Sequence, residues 1–289
     1  MTTLASLLQE GATLLAEAGI SEASLDAWLL LEFIAGCNRA YYYAHPQEEV
    51  PKEKAQAYRK LVKRRAGHIP LQHLTHQAFF MGYEFYVDEN VLIPRQDTEV
   101  LAETAISVAE GMERPRLLDM CTGSGCILLS LLLEIKGSTG VGADVSGQAL
   151  QVARHNAGSL GVGERAVFVE SDLFSASFFQ KQEGKEPPGY DILVSNPPYI
   201  RTAEIGNLMD EVRLFDPRLA LDGREDGLYF YRRITREGKA YLRPGAWLLY
   251  EIGCDQGEEV AGIMEKEGYS DIEIKKDLAG LDRVVLGHI

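Results

Sequence analysis

Four consecutive residues, Asn196-Pro197-Pro198-Tyr199, carry groups suited to binding a planar nitrogen compound. They follow Asp191–Ser195, which is typical of a buried strand. Proline fixes the backbone and lacks an N–H, which leaves carbonyl oxygens as the backbone groups available to a ligand. The Asn196 side chain and the Pro197 carbonyl could accept both N–H bonds of an amide or amino group, and the Tyr199 ring could pack against its plane. The alternative is a structural Pro-Pro turn at a strand end.

A turn of small residues follows the predicted strand Arg116–Met120, which contains Asp119. The turn consists of Cys121, Thr122, Gly123, Ser124 and Gly125. Glycines let backbone N–H groups approach a ligand at the N-terminus of the following helix. By itself the turn is compatible with a nucleotide site, a dinucleotide site or a tight connection with nothing bound.

Acidic residues follow the next two predicted strands. Asp144, near the end of Val141–Val145, is placed to accept hydrogen bonds from both hydroxyls of a ribose. Its alternative role is to cap the helix predicted from Gly147. Asp172, followed by Leu173, could accept the exocyclic amino group of an adenine. A loop and two acids after three successive strands favour an adenosine ligand beyond the carboxyl ends of a sheet.

The elements that must position these residues alternate between helix-like and strand-like patterns from Arg95 onward. They are Thr98–Val108 (helix), Arg116–Met120 (strand), Ile127–Ile135 (helix), Val141–Val145 (strand), Gly147–Leu160 (helix), Ala166–Glu170 (strand), Asp191–Ser195 (strand) and Trp247–Ile252 (strand). Such alternation predicts a parallel sheet with helices on both faces. The segments Asp271–Lys276 and Arg283–Gly287 could pair antiparallel across Gly280, and Pro187–Gly189 marks a loop.

Residues 1–75 predict a small helical domain. The helices indicated by apolar residues at helical spacing are Leu4–Ala18, Ser21–Gly36 and Pro51–Ala66. The aromatic run Phe79–Val87 and the run Val91–Ile93 predict the two strands of a hairpin, within a linker of residues 76–94. Residues 95–289 are then expected to form a second, larger domain.

The formal charge of −14 comes from one part of the chain. Residues 1–77 hold eight basic and eight acidic residues, whereas residues 78–289 hold 21 basic and 35 acidic ones. The acidic part repels a phosphate backbone, so contact with nucleic acid would have to be local or guided by protein. A basic cluster in the neutral part is either a contact for an acidic partner or a solvated helix face. Its members are Lys60, Lys63, Arg64 and Arg65.

The composition, 46% hydrophobic and 25% charged, is that of an ordinary globular protein. The first residues lack a basic start before an apolar core, and no run of about 18 uncharged apolar residues occurs. The four cysteines form no C-x-x-C pair, which favours reduced thiols over disulfides or a zinc site. We therefore expect a cytoplasmic protein, a monomer by default, with no metal and no membrane partner.

Together these motifs resemble the class I S-adenosylmethionine-dependent methyltransferases of the N-P-P-Y group. The chain is more closely similar to the HemK/PrmC family, the peptide chain release factor N(5)-glutamine methyltransferases. The matching motifs cover essentially the whole chain. Besides Asn196–Tyr199 they are Phe80-x-Gly82-x-x-Phe85-x-Val87, Leu92-Ile93-Pro94-Arg95-x-Asp97-Thr98-Glu99, Asp216–Gly223, Asp226-Gly227-Leu228, Glu251-Ile252-Gly253 with Gln256, and Asp277-x-Ala279-Gly280-x-Asp282-Arg283.

The resemblance implies an α/β fold: a Rossmann-like seven-stranded class I methyltransferase sheet with a small N-terminal helical domain and a connecting β-hairpin. It implies S-adenosylmethionine as cofactor and the glutamine of the GGQ motif in class I release factors as substrate, with the helical domain and hairpin gripping the rest of that partner. The implied catalytic residues are Asn196, Pro197 and Tyr199, with Pro198 completing the substrate site. The implied cofactor-binding residues are Asp119, Cys121, Thr122, Gly123, Ser124, Gly125, Asp144, Asp172, Leu173 and Asn196.

One residue departs from the family pattern. Cys121 stands where the D-x-G-x-G-x-G turn usually has its first glycine, close to the methionine end of the cofactor. A cysteine fits there if its φ is negative, and we expect cofactor binding to survive. We interpret Cys121 as a neutral small-residue replacement; a redox-sensitive thiol is the alternative.

Two other functions remain open at this point. The same N-P-P-Y chemistry serves an amino-methyltransferase acting on a nucleic-acid base, but that enzyme needs base flipping and a basic groove, which the acidic catalytic part does not supply. The second is a non-catalytic adenosine-binding scaffold whose turn has decayed at Cys121. The intact Asp144 and Asn196–Tyr199 argue against decay.

Overall fold

The computed structural model describes residues 2–180 and 189–289. The helices are α1 Leu4–Glu17, α2 Ala23–Ala35, α3 Arg39–Ala44, α4 Lys52–Ala66, α5 Leu71–Thr75, α6 Glu99–Val108, α7 Cys126–Glu134, α8 Gly147–Ser159, α9 Asp210–Phe215, α10 Arg218–Leu221, α11 Tyr229–Gly238 and α12 Gly257–Lys266. The strands are β1 Gln77–Phe80, β2 Tyr83–Tyr86, β3 Arg116–Met120, β4 Thr139–Asp144, β5 Ala166–Glu170, β6 Tyr190–Ser195, β7 Leu242–Glu251, β8 Ser270–Lys276 and β9 Asp282–His288. The two prolines of the predicted loop Pro187–Gly189 lie outside the described residues.

The chain divides into two compact units. One contains Met1–Gln77 together with Met209–Phe215, and the other contains Ala78–Leu208 with Asp216–Ile289. The sequence had suggested a continuous helical domain, residues 1–75. A short segment from far along the chain therefore belongs to the first unit.

The first unit is helical, as its apolar spacing predicts. Its core forms where α1, α2 and α4 pack together, and Tyr58 of α4 is fully buried there. The Tyr58 hydroxyl donates to the Ala27 carbonyl at 3.2 Å. It lies so close to α1 that a Cβ on Gly11 would be 2.0 Å from its oxygen. Gly11 thus permits this close approach of two helices.

The predicted basic cluster is wrong for one of its four members. Arg65 is buried, and its guanidinium pairs with Asp26 at 2.6 Å and Glu211 at 2.7 Å. A buried guanidinium needs such partners because an unpaired buried charge is expensive. Glu211 lies in the distant segment Met209–Phe215, which helical spacing around residue 65 does not reveal. Arg65 is therefore a structural residue and cannot meet a partner.

The hairpin lies mostly within Phe79–Val87, the run predicted as its first strand. Its strands β1 and β2 pair around Met81 and Gly82, which both have positive φ, 52° and 78°. Backbones of this kind suit two-residue hairpin turns. The predicted second strand, Val91–Ile93, is wrong. This run has no strand structure, because Val91 and Ile93 instead bury their side chains in an apolar cluster with Ala149.

Within the described residues, seven strands form one sheet in the order β5-β4-β3-β6-β7-β9-β8. The pairs among β3 to β7 are parallel, and β9 is antiparallel to both β7 and β8. The β8–β9 pair across Gly280 is the one that the sequence predicts. Leu117 and Leu118 of central β3 enter separate apolar clusters, consistent with the alternation of side chains along a strand between two covered faces. The predicted fold class is confirmed.

The register brings the predicted site residues to one edge of the sheet. Met120 at the end of β3 pairs with Ala143 of β4 and Ser195 of β6. Ser195 in turn pairs with Tyr250 of β7. The residues that follow these positions leave the carboxyl ends of neighbouring strands, which is where open α/β sheets bind ligands.

Candidate active site

A cavity within the second unit opens at this edge of the sheet. Nine of the predicted site residues line it: Cys121, Thr122, Gly123, Ser124, Asp144, Asp172, Leu173, Asn196 and Pro198. We call the side formed by Cys121–Gly125, Asp144, Asp172 and Leu173 the cofactor wall, and the segment Asn196–Tyr199 the amide wall. The other four predicted site residues, Asp119, Gly125, Pro197 and Tyr199, are not among the lining residues.

The small-residue turn of the cofactor wall is held by its own backbone. The Thr122 N–H donates to the Ala143 carbonyl at 3.0 Å, and the Gly125 N–H donates to the Thr122 carbonyl at 2.8 Å. Gly123 has φ 55°, and a Cβ built on it would meet no atom within 4 Å, so this residue faces open space. The turn therefore presents backbone to the cavity at the start of α7.

Asp119 supports the turn from behind. It is fully buried, and its Oδ2 accepts a hydrogen bond from the Thr122 hydroxyl at 2.5 Å. Burial raises the pKa of this carboxyl to about 7, and the Thr122 hydrogen bond opposes part of the rise. Asp119 thus positions the turn and does not reach the cavity surface.

Cys121 adopts φ 63°, so the condition of a negative φ is not met. The backbone keeps the left-handed conformation that glycine accommodates easily, which costs a residue with a Cβ about 1 kcal/mol. Burial raises the pKa of the Cys121 thiol, helped by the negative charge of Asp144. A raised pKa disfavours the thiolate and therefore a redox role.

Asp144 uses both carboxylate oxygens to shape the cofactor wall. Oδ2 accepts from the Gly123 N–H at 2.9 Å, and Oδ1 accepts from the Ser146 N–H at 2.9 Å. Each oxygen retains acceptor capacity for a ribose hydroxyl. The alternative role as cap of α8 is wrong, because Ser146 is the N-cap and its hydroxyl accepts from the Ala149 N–H.

Asp172 lies beside residues that sequence reasoning missed. Its Oδ1 accepts from Arg233 Nη1 at 3.0 Å, and Arg233 also pairs with Glu237. Arg233 belongs to α11, which lines the cavity together with Tyr229 and Phe230 of the same helix. No helix was predicted there. The hydrophobic periodicity of Tyr229–Gly238, with Tyr231 and Ile234 buried, was the available signal.

The amide wall continues from β6. The Asn196 Nδ2 donates weakly to the Thr98 hydroxyl at 3.4 Å. Pro197 and Pro198 are buried. The Tyr199 hydroxyl lies 3.5 Å from Oε1 of Glu251, and burial raises the pKa of the Tyr199 phenol. Tyr199 is therefore neutral, with its hydroxyl turned to Glu251.

The backbone of Tyr199 is clamped by later segments. The Gln256 side chain donates to the Tyr199 carbonyl at 3.1 Å. A Cβ on Gly223 would lie 2.7 Å from the Tyr199 backbone, and a Cβ on Gly227 would lie 2.4 Å from the Tyr199 carbonyl oxygen. These glycines permit a close approach that no other residue allows. The motifs that contain them thus hold the amide wall.

The run Arg95–Glu99 ties the site to distant parts of the second unit. Its contacts are Arg95 with Asp216 at 2.7 Å, Asp97 with Arg283 at 3.4 Å, Thr98 with Asn196, and Glu99 with the Met81 N–H at 2.6 Å. Each contact joins this run to another segment that carries a matching motif.

Glu251 is a further site residue to which the sequence gave no role. It ends β7 next to β6, and its side chain is almost fully buried beneath the amide wall. Burial raises the pKa of the Glu251 carboxyl to about 7, whereas Thr98, Arg283 and Asn196 act to lower it. The signal in the sequence was an acid that ends an apolar strand.

Both parts of the chain are similar to known families. The model described as the PrmC N-terminal domain matches residues 6–75, and the methyltransferase small domain matches residues 96–212. The release factor glutamine methyltransferase of Clostridium acetobutylicum is 38% identical over 261 residues, 90% of both chains. That of Chlorobaculum tepidum is 39% identical over 286 residues, 97% of this chain and 95% of the relative. The chain belongs to the release factor glutamine methyltransferase family.

A more distantly related enzyme has a similar fold. The catalytic domain of hMettl16, solved with MAT2A 3′UTR hairpin 1, is 15% identical, with a TM-score of 0.53 over 82% of this chain and 80% of that one. At this identity the likeness concerns the fold alone.

In the parts of the chain that the structure describes, no helix is long and apolar enough to cross a membrane.

Proposed function

We propose that this enzyme transfers a methyl group from S-adenosylmethionine to the side-chain amide nitrogen of the glutamine in the GGQ motif of class I peptide chain release factors. The observation that carries the proposal is the amide wall: Asn196 and Pro198 line the same cavity as Gly123 and Asp144. Membership of the family supports a release factor as the substrate. The proposal has the enzyme act as a monomer in the cytoplasm, where release factors work.

The cofactor wall fits an adenosine ligand. Asp144 has acceptor capacity for two ribose hydroxyls, Gly123 offers open space beside its backbone, and Asp172 with Leu173 lies further along the wall. S-adenosylmethionine supplies a methyl group on a positively charged sulfur. The protein's part is to hold the nucleophile in line with that methyl group, and positioning of two bound reactants contributes as much as ~7–11 kcal/mol in favourable cases.

The amide wall would activate a poor nucleophile. The nitrogen of a glutamine amide is weakly nucleophilic because its lone pair is delocalised into the carbonyl. Asn196 Oδ1 and the Pro197 carbonyl would accept its two N–H bonds and favour a tetrahedral nitrogen. These hydrogen bonds strengthen as positive charge develops on the nitrogen in the transition state. Tyr199 would pack beside the amide plane, and the proton leaves to solvent after transfer.

The test is mass spectrometry of a purified class I release factor after incubation with the enzyme and S-adenosylmethionine. We expect one added methyl group on the GGQ glutamine, and none with Asn196→Ala despite cofactor binding. A release factor with the GGQ glutamine changed to alanine is the substrate control. An unmodified release factor would contradict the proposal. Methylation of an oligonucleotide base in the same assay would favour the nucleic-acid alternative, and absence of cofactor binding would favour a non-catalytic scaffold.

A further inference from the structure

The side chain of Asn196 has two ends of opposite hydrogen-bonding character. Its oxygen accepts and its NH₂ group donates. Only the oxygen can accept a hydrogen bond from the N–H group of a substrate amide. If the NH₂ group of Asn196 pointed outward instead, two hydrogen-bond donors would face each other and no bond would form. The orientation of this one amide therefore decides whether the amide wall functions.

The residues behind Asn196 offer acceptors. Asn196 Nδ2 lies 3.4 Å from the Thr98 Oγ1, and Thr98 is only 3% exposed. Glu251 is 2% exposed, and its Oε2 has no close hydrogen-bond partner among the residues that the structure describes. The Thr98 hydroxyl and the Asn196 amide lie near enough to act on this carboxyl. A hydroxyl that donates to Glu251 accepts from Asn196 with its lone pairs.

The guanidinium of Arg283, which acts on the Glu251 carboxyl, is engaged by other acceptors. The guanidinium of Arg283 donates to Asp277 at 3.0 and 3.2 Å and to the Ile252 carbonyl at 3.3 Å. Its remaining charge contact is Asp97 at 3.4 Å. The hydrogen-bond donors of Arg283 are thus directed at groups other than the Asn196 oxygen.

We infer that Thr98 and Glu251 are positioning residues that fix the Asn196 amide with its NH₂ group inward and its oxygen towards the cavity. The inference rests on the proposed function, because it assigns the cause of the outward oxygen that the amide transfer requires. Glu251 does not line the cavity, whereas Thr98 lines it together with Asn196. Both act through Asn196, over sequence separations of 98 and 55 residues.

The test compares methyl-transfer kinetics of Thr98→Val, Thr98→Ser and Glu251→Gln. Valine keeps the shape of threonine but lacks its hydroxyl, and Thr98 makes no helix-capping hydrogen bond that the change would remove. We expect kcat to fall about tenfold in Thr98→Val and in Glu251→Gln, with KM for S-adenosylmethionine unchanged. Thr98→Ser recovers most of the rate lost in Thr98→Val. Thr104→Val, on helix α6, whose N-cap is Thr98, is the control and leaves kcat unchanged.

The double variant Thr98→Val with Glu251→Gln distinguishes positioning from general damage. Two residues that act through one amide lose no more together than the worse variant alone, whereas independent structural effects add. Unchanged kcat in the single variants, additive losses, or a parallel rise of KM for S-adenosylmethionine would overturn the inference. If Glu251→Gln does not fold, the Thr98 variants carry the kinetic test.

A second measurement needs no methyl transfer. The Asn196 side-chain NH₂ signal, assigned in ¹⁵N NMR spectra by its absence in Asn196→Ala, should exchange slowly with solvent in the wild type and faster in Thr98→Val. Equal exchange rates of the Asn196 NH₂ protons in the two proteins would contradict the inference. A wild-type enzyme that leaves the release factor unmodified, yet shows protected Asn196 protons, would defeat the proposed function and leave the orientation of Asn196 established.

Discussion

The cofactor wall and the amide wall differ in how far along the chain their supports lie. Asp119 holds the turn of the cofactor wall through Thr122, three residues away. The amide wall is held by Thr98, 98 residues before Asn196, and by Gln256, 57 residues after Tyr199. The Asp119 support lies within one strand and turn, although Asp172 of the same wall is held by Arg233, 61 residues away. A wall with distant supports exists only when the whole sheet has formed, so substitutions far from it in sequence should damage it.

The two walls also share a feature. Each has one buried carboxyl beneath it, Asp119 under the turn and Glu251 under Asn196, and burial raises the pKa of both to about 7. Both carboxyls are desolvated by the core that places them. Asp119 supports its immediate neighbour, whereas Glu251 acts on residues from other elements.

The largest loss of activity should come from a substitution that displaces the amide wall from a position far from it in sequence. In Gly227→Ala the new Cβ meets the Tyr199 carbonyl oxygen, so the wall must shift. Displacement of a reacting group by about 1 Å can lower the rate about 100-fold, and we expect a loss of that size in kcat with cofactor affinity retained. Gly245→Ala is the control, since Gly245 also has positive φ, 78°, but an added Cβ there meets nothing. Equal activity of the two variants would contradict the distant support.

Substitutions in the cofactor wall should instead lower the affinity for S-adenosylmethionine. Asp144→Ala removes a carboxylate that accepts from the Gly123 and Ser146 N–H groups. The same carboxylate would accept both ribose hydroxyls, and losing those two charge-assisted hydrogen bonds should raise the Kd for S-adenosylmethionine about 100-fold. Asp172→Ala should have a smaller effect, because Asp172 is more exposed and pairs with Arg233. Isothermal titration calorimetry measures both, and a larger effect at Asp172 would reverse this ranking.

The buried carboxyl under the cofactor wall should make stability depend on pH. The folded-state pKa of Asp119, about 7, lies above its usual value of 3.8, so the folded protein holds this proton more tightly than the unfolded chain. The contribution of Asp119 to stability is therefore present at low pH and lost as pH rises towards about 7. Asp119→Asn should become progressively more stable relative to wild type over that range, as measured by urea unfolding. Glu103→Gln, at an exposed position of α6, should show no such trend.

The smallest effect concerns Cys121. At φ 63° a glycine avoids the strain that any Cβ introduces, so Cys121→Gly should unfold with a free energy about 1 kcal/mol higher than Cys121→Ala. Both variants lack the sulfur, which isolates the backbone effect. A more stable alanine variant would show that the strain is absent.

Local patterns predicted most elements closely. The strands Arg116–Met120 and Ala166–Glu170 have the predicted bounds, and three of the helices in the first unit lie where apolar spacing indicated. The strand predicted at Val91–Ile93 is wrong because a short apolar run fits a strand or a buried irregular segment equally well. The prediction that Arg65 lies at the surface is wrong because the sequence around a basic helical residue does not show whether that residue has a buried acidic partner.

The sequence by itself determined the strands of the sheet, the turn after β3 and nine of the residues that line the cavity, because spacing, glycine and proline act within a few residues. The tertiary structure decided which residues support Asn196 and Tyr199. Thr98, Glu251, Gln256 and Gly227 become neighbours of the amide wall only through strand order and register. Burial, which sets the pKa of Asp119 and Glu251, likewise depends on the complete core and not on local sequence.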